Sequence, residues 1–162
     1  MSRKTKAAIS AVLYILMFVV LPNIALERAP AELLRDASMM LGVDLRNFVI
    51  TFSILGIVLA GLNIVSGIVK ENSYIYLISG IITPLVWYYL SIYGLSFGKP
   101  GNFGSTLLSM TSKEGTMSAL IEIRIILVIL GFAVALEIIS SLIEFIAARE
   151  EYEESALKQD LG

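Results

Sequence analysis

The stretch Ile125–Ile143 reads IILVILGFAVALEIISSLI, an apolar run with a carboxylate, Glu137, a few positions from its middle. At about 1.5 Å of rise per residue, a helix of this length crosses roughly 30 Å of hydrocarbon. A carboxylate inside such a run costs free energy unless it is neutralised or paired, which marks Glu137 as a site position by default. The rest of the chain belongs to the same class. Of its 162 residues 57% are hydrophobic and 16% charged, with a mean hydropathy of +0.83, well outside the soluble globular range. Four spans and their connections nearly exhaust this length, so a separate soluble domain of ordinary size has no room.

Three further runs meet the same criterion: residues 7–26, 47–69 and 74–97. The first follows Ser2-Arg3-Lys4-Thr5-Lys6, a basic flank resembling the start of a signal peptide, with Ala29-Pro30-Ala31 at a cleavage-like spacing. Its apolar stretch is longer than a signal core, which favours a retained span. Pro22 is expected to bend or end that helix. Asp44 is a natural N-cap for span two, and Lys70-Glu71-Asn72-Ser73 is short enough to make spans two and three an antiparallel hairpin. Span three contains Pro84 and an aromatic set, Tyr74, Tyr76, Trp87, Tyr88, Tyr89 and Tyr93, which reads as an interfacial belt.

The expected fold is therefore an all-α integral membrane protein with four antiparallel transmembrane helices over residues 1–146 and an acidic helical tail over 147–162. Thr111-Ser112-Lys113-Glu114 has capping-box spacing and predicts that the fourth helix starts well before its apolar core. Between spans one and two, Pro30 suits an N1 position and Gly42 a C′ position. Leu33, Leu34, Ala37 and Leu41 then fall opposite Glu32, Arg35 and Asp36, predicting a short amphipathic helix on the membrane surface. Residues 98–105, rich in glycine, are turn chemistry; they lack the lysine and hydroxyl of a phosphate loop.

Arg3, Lys4 and Lys6 place both termini in the cytoplasm by the charge rule for membrane orientation. No cysteine or histidine is present. That excludes disulfides, thiolate centres, imidazole-held haem or zinc and the usual general base, so no cofactor, metal or catalytic residue is expected. A net charge of −2 offers nothing to nucleic acid. The glutamates among residues 149–158 read as a solvated tail or as a surface for a basic partner.

Two constellations carry the functional expectation. Ser53, Gly56, Ala60, Asn63 and Gly67 recur at steps of three and four on span two, with Gly80, Thr83, Ser91 and Gly94 as a partial counterpart on span three. Such stripes let helices approach closely, within a subunit or between subunits. Glu137 lies roughly 4 to 5 Å from the midplane on the cytoplasmic side, in the same half-layer as Asn63, Thr83 and Tyr14, with Ser10, Ser79 and Ser140 slightly nearer the cytoplasm. This predicts a polar layer. Glu122, Ala133, Glu137, Ser140 and Glu144 also fall within about 60° on a helical wheel, an acidic face suited to cations. Alternatively Glu137 is a protonated packing residue bonded to Asn63 or a serine, with Glu122 paired to Arg124.

Four spans with a carboxylate on the last resemble the duplicated proteolipid rotor subunits of rotary ATPases. The two halves share no repeat, however, and span one contains no glycine, so no family is assigned. The residues favour a small subunit of a homo-oligomeric cation or proton channel or transporter, embedded in the lipid bilayer and without enzymatic activity. A non-catalytic structural or assembly subunit of a larger membrane complex is the second expectation.

Overall fold

The computed structural model describes residues 2–112 and 115–160, and it is mostly helical. Helix α1 is Arg3–Arg28, α2 Ala31–Leu41, α3 Leu45–Ile68, α4 Tyr74–Leu95 and α5 Arg124–Asp160; α1, α3, α4 and α5 are long and apolar enough to cross a membrane. Local chemistry sets most of these ends. The Ser2 hydroxyl accepts from the Thr5 amide, the Asp44 carboxylate from the amides of Arg46 and Asn47, and the Ser73 hydroxyl from that of Ile75. Pro30 precedes α2 as its N-cap, one position earlier than the sequence suggests, and Gly42 ends it in the left-handed region at φ 62°. The Lys99 ammonium donates to the Leu41 carbonyl at 2.9 Å, satisfying one of the last carbonyls of α2.

The connection between α4 and α5 departs from the all-α expectation. Strands β1, Ser105–Ser112, and β2, Gly115–Glu122, pair antiparallel from Ser105↔Glu122 to Ser112↔Gly115. Thr111 and Ser112 therefore close a strand and do not cap a helix, while Lys113 and Glu114 lie outside the described residues. A short run of Ser, Thr, Leu and Met has no periodicity strong enough to separate strand from helix, and the capping-box spacing favoured the wrong one. A lone two-stranded hairpin is marginal by itself. Here β1 packs against α2, and Thr106 is only 2% exposed. Gly104, at φ 76°, brings the strand base so close to α5 that an added Cβ would meet the Leu127 side chain at 2.9 Å.

The long helices form a sequential row of packed neighbours: α1 on α3, α3 on α4, α4 on α5. Helices α1 and α5 are at most marginally in contact. The most apolar window of each outer helix is only 6% buried, against 22% for α3 and 17% for α4, so the α3–α4 hairpin is the scaffold and the others lean on it.

Small residues hold α1 to α3. A side chain added at Gly56 would collide with Phe18, and one at Gly67 with Ala7; Ser53 and Ala60 on the same stripe are buried at 8% and 2% exposure. The stripe is thus consumed inside the chain. Gly80 faces Ser141 of α5, whereas Gly94 faces Phe52 of α3, so the small residues of α4 serve two neighbours. At the hairpin end of the helices, Phe18 meets Phe52 at 5.3 Å and Trp87 at 6.5 Å, and Phe48 stacks on Tyr93 at 5.3 Å. Each such pair adds about 0.5–1.5 kcal/mol beyond its buried area.

Neither proline ends its helix. Pro22 follows a wide π-turn, Leu16–Val20, and α1 continues to Arg28. In an α-helix the carbonyl of Phe18 would receive the N–H of residue 22, which proline lacks; here it accepts from the Ser53 hydroxyl of α3 at 3.2 Å. The Asn23 amide donates to the same serine at 2.9 Å and to the Val19 carbonyl at 2.7 Å. In α4 the Gly80 carbonyl, opposite Pro84, accepts from the Ser141 hydroxyl of α5 at a longer 3.4 Å.

Two expectations follow for detergent-solubilised protein. Ser53→Ala lowers unfolding stability by about 1 kcal/mol, and Pro22→Ala, which restores the missing donor, recovers part of that loss in the double variant. Additive costs in that cycle would show that the Phe18 carbonyl does not depend on Ser53. Separately, Gly56→Leu abolishes cooperative folding, whereas Gly61→Leu is tolerated, because nothing lies within 4 Å of a Cβ at Gly61; thermal melts compare the two.

Candidate functional site

Helices that lean on a common scaffold without packing closely on each other leave a groove between them. Residues of α1 (Arg3, Lys6, Ala7, Ser10), α3 (Asn63, Ser66, Gly67), α4 (Tyr76, Ser79, Gly80, Thr83, Pro84) and α5 (Glu137, Ser141) line one open crevice of about 290 Å³. Antiparallel register explains the meeting. Gly67 sits at Ala7, Gly56 at Phe18, Gly94 at Phe52 and Gly80 at Ser141, so Ser10, Asn63, Thr83 and Glu137 arrive at nearly one height.

Glu137 is exposed to this crevice, and its carboxylate has no hydrogen bond or ion pair among the described residues. It is not bonded to Asn63 or to a serine. The polar groups around it are satisfied within their own helices: the Asn63 amide donates to the Leu59 carbonyl at 3.1 Å, the Thr83 hydroxyl to the Ser79 carbonyl at 2.7 Å and the Ser79 hydroxyl to the Tyr76 carbonyl at 2.9 Å. Each of these bonds engages a donor and leaves oxygen lone pairs free, so the lining can accept hydrogen bonds from a guest.

Of the residues expected in a polar layer, Asn63 and Thr83 line the crevice with Glu137, while Tyr14 and Ser140 do not. Tyr14 stacks on Phe18 with ring centroids 5.9 Å apart, and Ser140 donates along its own helix to Glu144 at 3.4 Å. The acidic face is also shorter than a helical wheel implies. Glu122 belongs to β2 and pairs with Arg124 at 3.7 Å, and Glu144 accepts from the Tyr76 hydroxyl at 3.2 Å. Glu137 is left as the one acid lining the crevice among the described residues.

Sequence reasoning did not bring Arg3 and Lys6 to this site. They read as a flank that orients the first span, yet both line the crevice at its outer end. The register of α1 on α3, set by Gly67 against Ala7, brings them there. Arg3 is clasped by three partners: the Glu71 carboxylate at 2.8 Å, the Ser66 carbonyl and the Tyr76 ring at 4.5 Å. Lys6 has no ion pair and no side-chain hydrogen bond among the described residues.

Among the described residues no group of three or more metal-ligating side chains comes together. No family model, curated protein or solved structure matches the chain.

Proposed function

We propose that this chain is a small multi-pass membrane protein that carries a cation or a proton through the crevice, with Glu137 as the binding group and both termini in the cytoplasm. The observation that carries the reading is an unpaired carboxylate, deep in an apolar helix, facing an open polar crevice. A structural carboxyl in such a position would be expected to have a partner, because leaving it alone in a medium of low polarity has no compensation. An ion-carrying group must instead be free to exchange its guest.

The homo-oligomeric part of the proposal rests on the groove between α1 and α5. A single chain leaves that side open, and a second copy would close it, whereas the small-residue stripe of α3 is already covered by α1. A structural or assembly role is the second reading, favoured by the exposed acidic face of Glu150, Glu151 and Glu153 beyond the apolar part of α5.

Purified protein in liposomes is expected to dissipate an imposed cation or proton gradient, and Glu137→Gln to reduce that flux at least tenfold with an unchanged elution profile on size-exclusion chromatography. Full flux in Glu137→Gln would remove the carboxylate from the pathway and leave the assembly reading.

A further inference from the structure

We infer that the species taken up by Glu137 is the proton, and that Lys6 is the residue that turns metal cations away. The inference rests on the transport reading of the same crevice and narrows its substrate class.

The lining holds two cations against one carboxylate. Arg3 is offset by Glu71 and fixed by Ser66 and Tyr76, but the Lys6 ammonium is uncompensated among the described residues. Lys6 lies one helical turn from Ser10, about 6 Å along the axis, and therefore between the Arg3 end of the helices and the level of Asn63, Thr83 and Glu137. A metal ion arriving from that end meets a fixed positive charge before it meets the carboxylate. Charges lining a path select against ions of their own sign, and walls of low polarity strengthen the effect.

Coordination points the same way. An alkali or alkaline-earth ion that leaves water needs about six oxygen ligands, several of them charged when the ion is divalent. The crevice supplies one carboxylate, and its other side-chain oxygens, such as those of Ser79, Thr83 and Asn63, are neutral, which falls short of the several charged ligands a divalent ion needs. A proton requires no such cage. It binds to one carboxylate oxygen, neutralises Glu137, and leaves by the same atom, with the Ser10 hydroxyl of the lining available on the way.

The test is the ratio of sodium to proton flux in proteoliposomes of the full chain, measured with a pH-sensitive dye and a sodium-sensitive dye. Wild type is expected to pass protons with sodium at background. Lys6→Gln is expected to raise the sodium-to-proton ratio by on the order of tenfold to a hundredfold, from the interaction of two unit charges several ångströms apart at intermediate dielectric. Lys6→Arg keeps the wild-type ratio. Lys4→Gln, which removes a charge outside the crevice, also keeps it and controls for a general loss of charge at that end.

Sodium carried by wild type as readily as protons would overturn the inference while the transport reading stood, as would an unmoved ratio in Lys6→Gln. An equal change in Lys4→Gln would overturn the role of Lys6 in particular. No flux of either ion from wild type would defeat the transport reading and this inference with it.

Discussion

Backbone carbonyls need donors, and two hydrogen bonds between the long helices of this chain form where a proline withholds the usual α-helical one. Pro22 and Pro84 each withhold an N–H, and in each case a serine on the next long helix approaches the carbonyl four residues earlier. Ser53 thereby ties α1 to α3, and Ser141 ties α5 to α4. Close approach is needed for a short serine side chain to reach, and the glycines provide it: Gly56 lies against Phe18, the residue whose carbonyl Ser53 takes, and Gly80 is itself the acceptor for Ser141. Hydrogen bonding and small-residue packing are here one device.

The same device determines where the crevice lies. Because both outer helices pack on the α3–α4 hairpin and at most marginally on each other, the space between them stays open. At the hairpin end, rings from α1, α3 and α4 crowd together, with Phe18 against both Phe52 and Trp87. Towards the Arg3 end the residues are smaller and more polar, and the crevice forms there. Glu137 faces it from one flank and Lys6 from the other, so a groove made by backbone chemistry acquires a charge pattern.

Much of the fold is legible residue by residue. Asp44 and Ser73 cap their helices, Gly42 closes the amphipathic helix, and the four apolar runs coincide with the four long helices. Asn63, Thr83 and Glu137 line one crevice, a meeting in height that a nearly constant rise per residue makes readable in the sequence. Tyr14 and Ser140 show where depth is insufficient: both have neighbours of their own, and a shared height says nothing about the side of the helix a residue presents to its partners. The hairpin was illegible for a different reason. Its strands are short and mixed in polarity, and their pairing is reinforced by contact with α2, a helix far away in the chain.

Composition and periodicity alone determined that the chain is built from four long apolar helices with one misplaced carboxylate, because hydrocarbon thickness and helical rise leave little freedom to a run of apolar residues. Only the tertiary structure decided that the amino-terminal cations share a crevice with that carboxylate. Their meeting depends on which small residue of one helix opposes which of another, and close steric fit between backbones has no one-dimensional signature strong enough to assign.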